Sequence, residues 1–480
     1  MATKITPSAQ YTITLRLENP HDAGWIAKIS SAIGKAGGII KAIDLVHIHG
    51  GTSLRDYSVE CSSMEHAERI ISGVKRVKGV TVQSVSDETF LMHLGGKLEI
   101  ASKVPLKTRA DLSMAYTPGV ARICSAIQQN YQNSFNLTIR KNCIAVVSDG
   151  SAVLGLGNIG AAAAMPVMEG KSVLFKEFAG VDAFPICVAT QEADEIIKLC
   201  RSIAPTFGGI NLEDISAPRC FRIEEQLQQE LDIPVFHDDQ HGTAVVMLAG
   251  LINALKVTGR KPGDMKVVVS GAGAAGIACA KALHKFGIGK LVVCDSTGAL
   301  HPGRDVGENF AKRWIIENTN EDGERGTLKR VIRGADMFLG VSAPRVVSRH
   351  DVEKMHKAPI IFAMSNPVPE VMPEEVVDLA SVIATGRSDY ANQINNVLAF
   401  PGIFRGALDA RASTINDAMK QAAAAAIAGV VGEDELSPDY IIPSVFNANV
   451  VKRVSAAVSR TARATRVAHR VPKSASFYDV

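Results

Sequence analysis

The sequence predicts an α/β protein in three parts: a small β-α-β-β-α-β unit over residues 1–93, a middle part over 94–240, and a doubly wound domain with C-terminal helices over 241–480. Three observations carry that prediction. Residues 11–82 pass twice between the period of a strand and the period of a helix. The short β-branched run Lys266-Val-Val-Val-Ser270 leads directly into Gly271-Ala-Gly273-Ala-Ala-Gly276. Strand-like runs at Leu291–Cys294, Met337–Val341 and Ile360–Met364 then alternate with helical stretches. At 480 residues the chain is also too long for one core.

In the first part Tyr11–Leu17 alternates as a strand and Glu18-Asn-Pro-His-Asp-Ala-Gly24 makes a turn. Trp25, Ile26, Ile29 and Ile33 share one helical face, which Gly37-Gly38 ends. Strands through Ile43, Leu45 and Ile48 and through Tyr57, Val59 and Cys61 follow. Ser62 with Glu65 reads as a capping box for a helix facing inward with Ala67, Ile70, Ile71, Val74 and Val77, and Val80 and Val82 open a last strand. This is a ferredoxin-like order. With Asn19-Pro-His-Asp-Ala-Gly24 at its first turn, the segment resembles an ACT domain. That resemblance implies a small effector held between paired copies, and hence a homo-oligomer, a dimer or higher. The alternative is a unit that only packs or dimerises.

Gly96–Gln240 reads as mixed loops and helices holding most of the polar clusters. Beyond it come an apolar helix, Gly242–Val257, the α/β alternation, an alanine-rich helix from Asp417 to Gly429, and a basic tail after Arg460 that reads as a solvated terminus.

Composition excludes several classes of function. Lys plus Arg number 52 against 49 for Asp plus Glu, which gives no basis for a nucleic-acid partner. The first residues lack the apolar core of a signal peptide, and the longest apolar stretch, Thr243–Leu255, is 13 residues and too short for a bilayer. Eight scattered cysteines without a CxxC pair are expected to be reduced thiols of a cytoplasmic protein.

GxGxxG occurs twice. Gly271, Ala272, Gly273, Ala274, Ala275 and Gly276 stand between a strand and a helix, and Asp295 ends the next strand. That context predicts a Rossmann-like site, with pyrophosphate on the helix N-terminus and ribose on Asp295. Gly155-Leu-Gly157-Asn-Ile-Gly160 follows a strand interrupted by Asp149-Gly150, and its glycines read as close packing or a tight turn. Two acidic pairs, Glu213-Asp214 and Asp238-Asp239, lie 25 residues apart at loop or helix entrances. Oxygen ligands of this kind suit Mg²⁺ or Mn²⁺, whereas a single such pair would only complement a helix dipole. His237 and His241 are positioning groups in this reading. Lys171 reads as the start of a strand, Ser172-Val-Leu-Phe, and Tyr116 as a residue before a turn. Nothing in their spacing selects either.

The motifs Tyr116-Thr-Pro-Gly-Val-Ala, Ser148-Asp-Gly-Ser, Gly155–Gly160, Met165-Pro-Val-Met-Glu-Gly-Lys171, Pro205–Asp214, Phe236–Ala244, Ser365-Asn366-Pro367 and Asn395-Asn396 through Leu408 resemble those of short bacterial malic enzymes, from about Gly96 to the C-terminus. The resemblance implies oxidative decarboxylation of L-malate to pyruvate and CO₂ with NAD⁺ or NADP⁺ and a divalent cation. By carry-over, Lys171 takes the C2 hydroxyl proton, Asp238 orients it, and Tyr116 protonates C3 of enolpyruvate. Glu213, Asp214 and Asp239 hold the metal, Asn366 lies by the nicotinamide ribose, and Asn396 holds a substrate carboxylate.

Two departures are visible. Larger members carry an arginine for a malate carboxylate where this chain reads Asp149-Gly-Ser-Ala152, so Ser151 or main-chain NH groups would substitute. Many relatives have proline at Ala391. Asp295 favours NAD⁺, with His301 and Arg304 near enough to offset it. The rival readings are a malolactic-type enzyme that releases lactate, and an effector-binding protein with an inactive dehydrogenase portion.

Overall fold

Alternation along the first strand decides which side chains meet the first core. Ile13, Leu15 and Leu17 are buried on β1 (Ser8–Pro20), against Ile29 and Ile33 of the helix Trp25–Lys35. The computed structural model describes residues 8–153 and 155–469. It comprises two units, Met1–Glu99 and Ile100–Val480. The first continues with β2 (Ile39–His49), β3 (Thr52–Cys61), a helix Met64–Lys75 and β4 (Thr81–Asp87). Its antiparallel sheet runs β2-β3-β1-β4. Two local expectations shift. Ile26 is 45% exposed, outside the core face. The helix cap is Ser63, which accepts from the His66 N–H, while Ser62 bonds the His66 ring instead.

The second unit opens with two short helices, Arg109–Ala115 and Val120–Gln129. A four-stranded parallel sheet follows, from β5 (Cys143–Ser148), β6 (Asp182–Cys187), β7 (Gly209–Leu212) and β8 (Val235–His237) in the order β6-β5-β7-β8. The expectation of mixed loops and helices over Gly96–Gln240 is therefore corrected. All six residues of β5 are buried, so both faces are apolar and no period of two appears. Lys171 also moves: it lies in the 20-residue helix Gly160–Ala179, which runs through Pro166, and Ser172–Phe175 is no strand. The β-branched look of that tetrapeptide loses to a helix whose Met168, Lys171 and Phe175 share a buried stripe.

The third sheet holds β9 (Lys266–Ser270), β10 (Lys290–Asp295), β11 (Gly298–Ala299), β12 (Met337–Gly340), β13 (Ile360–Ala363) and β14 (Val382–Thr385). Their order is β11-β10-β9-β12-β13-β14, all parallel except β11. The chain winds outward both ways from β9, so the crevice at the carboxyl ends of β9 and β12 is the topological switch point. The helix Asp238–Thr258 joins the two parallel sheets. At 21 residues it is long and apolar enough to span a bilayer, but its Ala244–Leu251 stretch is buried in the protein core. After Arg460 the chain is not free: the helix Asn449–Ala464 continues, and Ser413 N–H bonds the Val467 carbonyl. The last part of the basic tail, 470–480, lies outside the described residues.

Candidate active site

Parallel strands deliver their carboxyl-terminal residues to one edge, and here three strands arrive with acids. Asp149 follows β5, Glu213 and Asp214 follow β7, and Asp238 and Asp239 follow β8. Lys171 reaches this edge from the crossover helix between β5 and β6. Its Nζ lies 2.6 Å from Asp238 Oδ2 and 2.8 Å from Glu213 Oε1, with the Phe400 ring centroid 4.1 Å away. Asp238 folds back along its own helix. A Cβ on Gly242 would stand 2.0 Å from Asp238 Oδ1, so only glycine fits there. Asn396 donates to Asp238 Oδ2, and Asn211 on β7 donates to Glu213 Oε2 at 2.8 Å.

The charge balance at this edge is lopsided. Glu213, Asp214 and Asp239 each offer an oxygen within 4.8 Å of the others, and among the described residues Lys171 is the one cation bonded to the group. Burial first, and neighbouring carboxylates second, push Asp214 up to about 9. Burial likewise raises Glu213 to about 7 and Asp239 to about 6, with Lys171 opposing and an adjacent carboxylate adding to the rise. Asp239 keeps 31% of its side chain exposed, so water moderates its share. Asp214 sits at φ 53°, a left-handed conformation uncommon outside glycine, and its N–H bonds Asp239 Oδ2 at 2.8 Å. Asp214 Oδ2 is buried without a hydrogen-bond partner. Crowded carboxylates with an unsatisfied buried oxygen are what a hard divalent cation neutralises, so these residues fit Mg²⁺ or Mn²⁺.

Burial acts to lower the proton affinity of Lys171, but Asp238 and Glu213 outweigh it and hold the ammonium above the ordinary lysine range. That runs against the lowering a general base requires. The two histidines stay outside the oxygen cluster. His237 is fully buried, with Nδ1 3.8 Å from Asp239, and burial lowers its pKa. His241 Nε2 lies 2.9 Å from Glu224 Oε2. Ser151 is committed elsewhere: its hydroxyl donates to Asp149 at 2.5 Å and accepts the Ser216 N–H at 2.9 Å. The cation at that loop is Arg219, 2.7 Å from Asp149 Oδ2. Sequence reasoning missed Arg219, Asn211 and Gly242, because each acts through a partner distant in sequence or through the absence of a side chain. Tyr116 is not drawn into the cluster: it is 66% exposed, and among the described residues its hydroxyl makes no hydrogen bond.

The second glycine motif has the shape expected for pyrophosphate. Gly271 sits at φ 114°, and a Cβ there would lie 2.4 Å from the Val341 carbonyl oxygen. A Cβ on Gly276 would come within 1.9 Å of the Gly271 carbonyl oxygen, while one on Gly273 would meet nothing within 4 Å. The helix Ala274–Phe286 has no side-chain cap, so its first N–H groups are available to an anion. Asp295 ends β10, with Arg304 Nη2 at 2.6 and 2.7 Å from its two oxygens and Lys312 Nζ at 2.7 Å. Burial alone would raise Asp295, but the hydrogen bonds from Arg304 and Lys312 hold it far below the usual carboxylate range. The His301 ring bonds the Pro302 carbonyl instead. Buried Glu370, also unread in the sequence, accepts the N–H groups of Ser342 and Ser365 and ties together the loops after β12 and β13. Asn366 follows β13. A Cβ on Gly155 would come 3.2 Å from the Asn366 carbonyl, the close packing expected of the first glycine motif. Gly155, in the loop between β5 and the helix that carries Lys171, thus lies close against the loop after β13.

A doubly wound sheet with a glycine-rich turn at its switch point, together with a lysine–carboxylate pocket, defines a dinucleotide-binding enzyme with an acidic cluster suited to a divalent cation. Residues 95–228 match the malic enzyme N-terminal domain, and residues 240–463 match the malic enzyme NAD-binding domain. The chain is 56% identical over 462 residues to the NAD-dependent malic enzyme of Geobacillus stearothermophilus, covering 96% of each chain. It is 55% identical to the bifunctional malic/malolactic enzyme of Bacillus subtilis (strain 168), covering 80% of this chain and 95% of that one. A crystal structure of malic enzyme from Pyrococcus horikoshii superposes with a TM-score of 0.76 at 48% identity, covering 79% and 89% of the two chains. The chain belongs to the malic enzyme family, as an NAD(P)-dependent malate-decarboxylating enzyme.

Proposed function

We propose that the pocket around Lys171 is where malate is oxidised and decarboxylated, with Lys171 exchanging the C2 hydroxyl proton and Tyr116 delivering a proton to C3. The observation that carries this reading is the position of Lys171, shared between Asp238 and Glu213 at the edge of the Glu213–Asp214–Asp239 cluster. Glu213 cannot fully neutralise Lys171 and also ligate a cation. Its recruitment as a ligand withdraws negative charge from Lys171 and brings the lysine toward the proton affinity a base needs. Asp238, held by Gly242 and Asn396, keeps the ammonium aimed. Asn396, on the Lys171 side of the pocket, is the proposed partner of a substrate carboxylate, and Asn366 of the nicotinamide ribose. When bound, the cation supplies Lewis-acid polarisation of a substrate oxygen, and the dinucleotide supplies the hydride acceptor.

The first unit supports a regulatory role. Its β-α-β-β-α-β order and its separate core fit an ACT-like, ferredoxin-type fold, and Ile43, Leu45 and Ile48 leave one face of β2 apolar and exposed. A small effector held between paired copies is the reading this favours.

The test is an initial-rate assay of L-malate with NAD⁺ and NADP⁺, with and without Mn²⁺, scoring reduced nicotinamide and lactate separately. Stoichiometric pyruvate and reduced cofactor are expected. Lactate without net cofactor reduction would favour the malolactic chemistry named for the Bacillus subtilis relative. Lys171→Ala is expected to lower kcat by more than about 10³-fold while dinucleotide binding, read by fluorescence quenching, stays within about threefold. Near-normal turnover would remove Lys171 from the reaction.

A further inference from the structure

We propose that the cavity between the helices Asp238–Thr258, Ala274–Phe286 and Asp417–Ala428 is a second ligand site, which takes a small organic acid with an apolar body and couples it to the acidic edge. The cavity holds about 230 Å³. At about 30 Å³ for each water displaced, that is room for an acid of about eight non-hydrogen atoms. Ala244, Val245 and Leu248 of the first helix and Ile277 and Ala278 of the second form an apolar floor. The rim is cationic: Lys281, Lys285 and Lys420 line it against one carboxylate, Asp417. Asp417 is already shared, bonded to Lys285 and 2.7 Å from Lys420. Lys281 forms no ion pair among the described residues and rests over the Trp314 ring, with Nζ 5.2 Å from its centroid. Burial first, and Lys285 second, lower its proton affinity. A half-buried ammonium among like charges gains from an anion, and the floor beneath it gains from an apolar chain. One molecule meets both needs, with its carboxylate at the rim and its body on the floor.

The cavity shares a wall with the helix start that carries the acids. Asp238 turns toward Asn396, whereas Gln240 and His241 line the cavity. Both bond buried Glu224: Gln240 Nε2 lies 3.1 Å and His241 Nε2 2.9 Å from its Oε2. The other Glu224 oxygen accepts the His237 N–H at 2.9 Å. Glu224 therefore holds the segment His237–His241 at both ends, with Asp238 and Asp239 between. On the cavity side, His241 Nδ1 lies 3.4 Å from Lys420 Nζ. A carboxylate that draws on Lys420 thus acts on a group touching this hold. The coupling rests on the reading of Glu213, Asp214 and Asp239 as the cation site. The two ligands carry opposite charge across one helix, so each favours the other, and by linkage the factor is the same in both directions.

Calorimetric titration of the full chain with hexanoate, acetate and hexanol tests the site. Hexanoate is expected to bind at least about tenfold more tightly than acetate, which is the head alone, or hexanol, which lacks the charge. Lys281→Met and Lys420→Met should each weaken hexanoate by at least about fivefold. Asp417→Asn should tighten it about threefold, because it frees Lys285 and Lys420 and removes a like charge. A gain of affinity is not a result that damaged folding would produce. Saturating Mn²⁺ should tighten hexanoate about threefold, and saturating hexanoate should tighten Mn²⁺, read by the EPR signal of the free ion, by the same factor. Hexanoate held equally by wild type and Lys281→Met, or displaced by L-malate, would place it elsewhere and overturn the proposal. Acetate binding as tightly as hexanoate would overturn the class of ligand, and independent binding of Mn²⁺ and hexanoate would overturn the coupling. These titrations need no turnover, so they decide the site whether or not Lys171 and Tyr116 act as proposed. Failure of Mn²⁺ to bind at all would count against the acidic cluster and the coupling, while the hexanoate titrations would still decide the cavity.

Discussion

At the scale of the residue, Asp295 shows how a carboxylate can lose the meaning its position suggests. At the end of β10 it is placed for ribose hydroxyls, and an isolated negative charge there would repel a 2′-phosphate. Arg304 and Lys312 both close on it, so the local charge is positive. The leaning toward NAD⁺ drawn from Asp295 alone is thereby weakened, and we expect the wild type to turn over both cofactors. Lys312→Ala should lower kcat/KM for NADP⁺ by about tenfold and for NAD⁺ by less than about threefold, since it removes a cation that only the extra phosphate would use. Equal losses with both cofactors would show that Lys312 acts only by steadying Asp295.

At the scale of the element, the loops after β7 and β8 hold acids that folding alone does not favour in ionised form. Glu213 is raised to about 7, Asp214 to about 9 and Asp239 to about 6, all above ordinary carboxylate values. For a raised acid the folded state binds more protons than the unfolded one, so its contribution to stability falls as pH rises from about 4 through the folded pKa. A cation that ligates the ionised oxygens removes this loss and competes with protons for the same site. The rise in Tm on adding Mn²⁺ is therefore expected to be small near pH 5.5 and to grow through pH 8. Asp214→Asn should flatten that growth by removing the most strongly raised group. Differential scanning fluorimetry across pH, with EDTA controls, measures both. A Mn²⁺ effect independent of pH would mean that the cation binds elsewhere.

At the scale of the whole molecule, the two units have separate cores. Leu15, Ile29, Tyr57 and Ile70 belong to the first, whereas the cores around β5 and β9 contain none of its residues. A chain lacking residues 1–99 is expected to fold and to retain kcat within about threefold, with a changed effector response or assembly state. Circular dichroism, sedimentation and turnover of the truncated chain test this. A well-folded truncation without turnover at any concentration would place part of the catalytic machinery in the first unit.

The sequence by itself determined the dinucleotide motif, the acidic pairs, the strand–helix alternation of the first unit and, through the resemblance, the family. Those signals are local: glycines at fixed offsets, adjacent acids and one-sided periodicity all report on neighbours within a few residues. Only the tertiary structure decided what depends on distant partners. The middle sheet was hidden because strands buried on both faces show no alternation, and Lys171 read as part of a strand because its helix is set by packing of Met168 and Phe175. The pairing of Lys171 with Glu213 and Asp238, the clamp of Arg219 on Asp149 and the cations on Asp295 all join residues from separate elements. Parallel strands impose this division: each strand contributes one or two side chains to the common edge, and the strand order that makes them neighbours is a property of the sheet.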